Sequence, residues 1–155
     1  MPIRYDLDLE LEISSVWFRQ PPTVEVSLDD HCLFHGLINA DEKITYTGSL
    51  DQGCHYLKIQ YQGKTDLDTD QDRGLDTAVI LKKISFFGID DMKFIWAGEY
   101  CPDYPVEWAS QQSHPLPKLL TNQTYLGWNG TWTLRIDLPI FTWIHRIQDL
   151  GWIYR

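Results

Sequence analysis

The chain is 155 residues long, 43% hydrophobic and 14% aromatic, which suits one domain with a core of its own. Thirteen Lys and Arg stand against 22 Asp and Glu, a formal net charge of −9. That balance excludes nucleic acid and anionic membrane surfaces as partners, since both call for a basic face.

In chain order, the first predicted element is a strand. Tyr5, Leu7, Leu9, Leu11 and Ile13 alternate with Asp6, Asp8, Glu10 and Glu12. That is the period of two expected when one face is buried and the other is solvated. Val24, Val26 and Leu28 mark a second strand, Asp29-Asp30-His31 a turn, and Cys32-Leu33-Phe34 its hairpin partner. Residues 36–43 read as loop, and Ile44 to Thr47 as a strand ended by Gly48. Leu57, Ile59 and Tyr61 set one face of a strand over His55–Tyr61. Five aspartates follow in a loop, and then two apolar runs, Thr77 to Leu81 and Ile84 to Phe87.

Lys93 to Trp96 reads as a short strand. Pro102, Pro105, Pro115 and Pro117 are half of the 8 prolines, and they break any ladder in 98–120, which is predicted to be a long ordered excursion. Tyr125 to Trp128, Asn129-Gly130 and Thr131 to Leu138 have the pattern of a hairpin with a two-residue turn. Ile140, Trp143, Ile144, Ile147 and Leu150 fall at helical spacing before Gly151, so a helix is expected over about 140–150. Short strands with turn residues between them and no βαβ rhythm predict an all-β chain: one antiparallel β-sandwich over 1–155, jelly-roll-like, with a short C-terminal helix.

Two stretches carry candidate chemistry. The first holds Asp66, Asp68, Asp70, Asp72 and Asp76. An EF-hand is excluded, because counting from Asp66 puts Gln71 where glycine is required and Thr77 where a bidentate glutamate is required. Another oxygen-rich calcium site over these five carboxylates remains, beside the plainer reading of a solvated loop. The second stretch is Tyr100 to Trp108. Tyr100, Tyr104 and Trp108 are flat platforms on which sugar rings pack, with Asp103 and Glu107 as hydroxyl acceptors; they can equally cap one end of the core.

The order of strand, acidic loop, Asp72-Arg73-Gly74-Leu75, apolar strand and Gly88, led in by Gly53-Cys54-His55, resembles a known family. It is similar to the calcium-dependent xylan-binding type of carbohydrate-binding module over about residues 23–88. The resemblance implies a β-sandwich and a calcium ion held by loop aspartates, Asp72 among them by position. It also implies a sugar whose neighbouring hydroxyls bridge to that ion. Gly74 stands where the family carries Asn, Ala78 where it carries Asp, and Gly63-Lys64 where it carries an Asn-Asp pair.

Other chemistry finds less support. Zinc would need paired soft ligands at short spacing, and of Cys32, His35, Cys54, His55 and Cys101 only Cys32 and His35 have it. Glu99, Asp103, Glu107 and His114 share one loop and could include an acid–base pair of a glycan-acting enzyme, although no hydrolase motif accompanies them. Three cysteines and a charged first segment without a signal-peptide pattern set the expectation of synthesis in a reducing cytoplasm, and no apolar run reaches membrane length. Trp152 and Tyr154, in an apolar terminal segment, are expected to contact a partner chain or a second copy in a homo-oligomer.

The texture also resembles, more loosely, small β-sandwich virion proteins of tailed bacteriophages. The expectation is therefore a non-catalytic carbohydrate-binding-module-like structural protein, assembled into a virion as a capsid or tail subunit and able to meet a cell-surface glycan. The alternatives are a purely structural subunit without ligand and a small glycan-acting enzyme.

Overall fold

The computed structural model describes residues 3–114 and 116–148, and for residues 106 and 107 the backbone alone. The predicted contacts Trp152 and Tyr154, like Leu150, lie outside the described residues. Two antiparallel sheets face one another. The first runs β10 (Tyr125–Leu126), β6 (Ala78–Phe86), β1 (Arg4–Val16), β4 (Glu42–Asp51), with β7 (Ile89–Asp90) also pairing β6. The second runs β3 (His31–Leu37), β2 (Thr23–Leu28), β5 (Gly53–Gln62), β11 (Gly130–Leu138), β8 (Glu99–Pro102), β9 (Leu120–Thr121).

Alternation in the sequence decides which side chains meet between the sheets. Leu7, Leu9, Leu11 and Ile13 from β1 face Val24, Val26, Leu57, Ile59, Leu134 and Ile136 from the other sheet, and all are buried. The β1 acids point outward, where Lys43 reaches Glu10 at 2.9 Å and Glu12 at 3.6 Å. The β2–β3 hairpin forms as the sequence predicts, with Asp29 at φ 52° in its turn.

Four elements differ from expectation. The two apolar runs over 77–87 are one strand, because a bulge between Glu12 and Ile13 pairings slips β6 by one residue and brings both Leu81 and Ile84 inward. β4 continues through Gly48 to Asp51. Lys93 to Trp96 belongs to a helix, α1 (Met92–Trp96), begun by Asp91, whose Oδ1 accepts the Lys93 N–H at 2.9 Å. The segment around Asn129-Gly130 is no hairpin: β10 pairs β6 in one sheet and β11 pairs β5 and β8 in the other. Gly130, at φ +151°, is required there because a Cβ would stand 2.3 Å from the Cys101 carbonyl oxygen.

The excursion over 98–120 is also less irregular than its prolines suggest. It contributes β8 and β9 to the second sheet and encloses a short helix, α2 (Val106–Ser110). The C-terminal helix, α3 (Ile140–Gln148), buries Ile140, Trp143 and Ile144, and Trp143 meets Phe86 and Phe94 with ring centroids 5.5 Å away in each case. α1 and α3 follow the C-terminal ends of β6 and β11. The acidic loop and the Trp128 segment lie at the opposite ends of those strands.

At the helix-bearing end His55 joins two turns. Its Nδ1 is 2.6 Å from Asp29 Oδ2 and its Nε2 is 2.7 Å from the Asp51 carbonyl oxygen. Both partners are acceptors, so both bonds exist together only when the imidazole is protonated. Burial pulls the pKa down, but the Asp29 carboxylate and the Asp51 carbonyl outweigh it and hold the group above its ordinary 6.5. A histidine raised in this way contributes stability that is complete below the unfolded pKa and fades as pH rises through the folded one. The stabilisation from His55 is therefore expected to be complete below about pH 6.5 and to fade as pH rises above it, and His55→Gln should flatten that part of the melting-temperature profile. Parallel profiles for the two proteins would refute the assignment.

Candidate binding cleft

Residues 63–77 do not form a single acidic cage. Gly63, at φ +78°, turns the chain out of β5, and a single 3₁₀ turn (Asp66–Asp68) follows. Asp68 is buried: its Oδ2 accepts the Thr65 N–H at 2.9 Å and its Oδ1 pairs with Arg19 at 3.2 Å. Asp70 forms a small bridge with Leu75 and pairs with Arg73 Nε at 3.0 Å. Asp66 and Asp72 are exposed. Among the described residues no three His, Cys, Asp or Glu side chains gather as a metal ion would need. Asp68, Asp70 and Asp76 answer to separate partners, Arg19, Arg73 and Lys64.

Asp76 is the member of the group that enters a cleft. Its Oδ1 accepts from Lys64 Nζ at 2.7 Å and Thr69 Oγ1 at 2.8 Å, and its Oδ2 from the Tyr125 hydroxyl at 2.5 Å. Burial alone would raise this carboxyl, yet Lys64, Tyr125 and Thr69 together hold it below the usual carboxylate range. In return, burial first and then the bond to Asp76 push the Tyr125 phenol well above its ordinary pKa. The cation answering Asp76 is thus an ammonium of the chain itself, only 6% exposed. Lys64 Nζ also donates to the Gly127 carbonyl at 2.6 Å and lies 5.5 Å from the Trp128 ring centroid.

Two indole rings, backed by Tyr104, form the other wall. Trp108 and Trp128 stand 4.6 Å apart between centroids, tilted by 40°. Tyr104 packs on both, at 5.9 Å from Trp108 and 5.7 Å from Trp128, and its hydroxyl donates to the Pro117 carbonyl at 3.1 Å. Tyr100 lies beneath, buried, where its hydroxyl donates to the Trp128 carbonyl and accepts the Trp128 N–H at 3.1 Å. Asn129 completes the frame: its Oδ1 accepts the Lys64 N–H at 2.8 Å and its Nδ2 donates to the Lys64 carbonyl at 2.9 Å. An amide that the sequence offers to a turn is used here to fasten the loop after β5 to the approach to β11.

The resulting cleft has a volume of about 270 Å³. Asp76, Lys64 and Thr69 lie on its polar side, Trp108, Trp128 and Tyr125 supply aromatic surface, and Gln71 and Gln123 also line it. Tyr100 forms part of its lining as well. Two predicted regions, the aspartate loop and the aromatic excursion, therefore meet through Asp76 and Trp108. Asp66, Asp68, Asp70 and Asp72 do not line the cleft, and Tyr104 supports it by packing against the tryptophans.

Sequence reasoning missed Lys64, Tyr125, Trp128, Gln71 and Gln123. Tyr125 and Trp128 were assigned to a hairpin arm, and nothing local distinguishes a glutamine facing a cleft from one facing solvent. The zinc candidates also stand apart: Cys32, Cys54 and Cys101 are exposed on β3, β5 and β8, and both His55 ring nitrogens are already engaged.

No protein-family model matches the sequence, and a search of the curated proteins gives no match. Among solved structures, one described as vCBM60 in complex with galactobiose is similar at 11% identity and a TM-score of 0.49, over 82% of this chain and 96% of that one.

Proposed function

We propose that this protein is a non-catalytic glycan-binding module whose site is the Trp108–Trp128 cleft. The observation that carries this reading is the pairing of half-buried indole surface with glutamines and hydroxyls in one concave site. A sugar ring needs both: a flat apolar surface for its C–H face and polar groups around its edge. At about 270 Å³ the cleft is small, suited to about one or two saccharide rings. A non-catalytic role fits the carboxylate inventory. Glycoside hydrolysis calls for two carboxyl groups across the bond to be cut, and among the described lining residues Asp76 is the sole carboxylate, already bonded on both oxygens.

The calcium ion implied by the resemblance does not fit the side chains as they stand. Asp76 faces Lys64, Asp68 faces Arg19, Asp70 faces Arg73, and the five do not converge. Binding in this reading is calcium-independent. The placement in a virion, and assembly with other subunits or with itself, find no carrier among the described residues and form no part of the proposal.

Titration calorimetry with neutral oligosaccharides, including xylan and galactan fragments, tests the reading. Trp128→Ala and Trp108→Ala are each expected to weaken a bound sugar by about tenfold or more, from lost stacking and apolar contact. Affinity should be the same in calcium and in a chelator. Unchanged binding in both tryptophan variants would overturn the site. Binding abolished by chelator would overturn the calcium-independent part.

A further inference from the structure

We infer that the cleft discriminates by charge, taking uncharged saccharide rings and rejecting uronate or otherwise anionic ones; this rests on the glycan-binding reading above and names its ligand class. The argument is an account of which polar groups are still free. Asp76 accepts from Lys64, Thr69 and Tyr125, so it can offer a sugar little further bonding. Lys64, the ammonium beside it, donates to Asp76 and to the Gly127 carbonyl, and the remaining side of its head faces the Trp128 ring. It has no clear donor left for a ligand carboxylate, and at 6% exposure it has little room to turn outward.

What remains at the surface of the cleft is neutral. Gln71 and Gln123 line it; the Gln123 amide already donates one N–H to the Thr121 carbonyl at 3.2 Å, which leaves its second N–H and its oxygen, so glutamine amides still supply both donors and acceptors. The hydroxyls of Thr69 and Tyr125 have spent their protons on Asp76 and can still accept. This mixture matches sugar hydroxyls, which donate and accept. An anion would find amide donors only. It would also be brought towards Asp76, whose charge is kept because its pKa lies below the usual range, in a chain that carries a net −9. Like charges brought together without a free counter-ion are a strong ground for rejection.

The test compares neutral oligosaccharides with oligogalacturonate and oligoglucuronate of equal length, by calorimetry on the full chain. Neutral sugars are expected to bind at least about tenfold more tightly than their uronate counterparts. Gln123→Lys, which places an unpaired cation at the cleft, should shift that ratio towards the uronates by about tenfold. Equal binding of neutral and uronate ligands, or an unchanged ratio in Gln123→Lys, would overturn the inference while leaving the module a glycan binder. Failure of every saccharide to bind would instead overturn the glycan reading, and the inference with it.

Discussion

Gly98→Ala is expected to destabilise the protein by about 3 kcal/mol, near the upper end of what a single added methyl costs in a packed core. In a chain of this length that corresponds to a melting temperature lower by roughly 6–12 °C. A Cβ at Gly98 would stand 2.2 Å from Cζ2 and 2.3 Å from Cε2 of Trp132. Trp132 is fully buried, the largest such side chain, and cannot swing into solvent to relieve the contact. Nor is the backbone at Gly98 free to retreat. Its N–H donates to the Ile95 carbonyl at 3.0 Å, and the Ala97 N–H to Lys93 at 3.0 Å, so the glycine is tied to the end of α1 just before β8 begins. Gly48→Ala is the control. There the added methyl would approach the hydroxyl of Tyr46 at 2.7 Å, the far end of a half-buried side chain that can move, so its cost should be far smaller. Denaturant unfolding of both variants checks this. A Gly98→Ala loss no greater than that of Gly48→Ala would show that Trp132 is not held as described.

The sandwich was legible because its strands carry their own signature. Leu7 to Ile13, Val24 to Leu28 and Leu57 to Tyr61 alternate cleanly, and a period of two with apolar residues on one face has few other solutions. The misreadings fall where a local pattern fits two structures and only tertiary contact chooses. Lys93 to Trp96 is apolar enough for a strand. It is a helix because Asp91 caps it and Phe94 and Ile95 bury against β6 and α3. Asn129-Gly130 is the usual turn pair, but Asn129 spends its amide on the main chain of Lys64, 65 positions earlier, and Gly130 serves the close approach of Cys101. No local window contains that information.

The same limit applies to the cleft. Its two halves were visible separately, as a crowded acidic loop and an aromatic excursion, because unusual composition shows in a linear scan. Their meeting was not visible. It depends on β6 bringing Asp76 beside β10, and on β11 pairing with β8 so that Trp128 and Tyr100 lie together. The residue that joins the halves, Lys64, is an ordinary lysine in sequence and becomes distinctive only through burial.

Lys64→Met should reveal that junction in both stability and pH dependence. The substitution keeps an apolar stem of similar length against Trp128 and removes the charge. Breaking a fully buried ion pair costs about 3–5 kcal/mol, because one charge is left without its partner. Asp76 is 31% exposed, so water answers part of its charge and a loss of about 2 kcal/mol is expected at neutral pH. The Gly127 carbonyl loses its donor as well. The Asp76 carboxyl is held below its ordinary value of 3.8, so its contribution is present above that value and is lost as pH falls through the folded pKa. The gap between the wild type and Lys64→Met should therefore narrow on moving from about pH 7 into the acid range below about pH 3.8. Asp76→Asn in the Lys64→Met background should cost less than it does in the wild type, because the two side chains act as one unit. A gap that is constant with pH, together with strictly additive losses in the double variant, would mean that Lys64 acts through its stem alone. The cleft would then be held by its rings and by Asn129, with no part played by the charge pair.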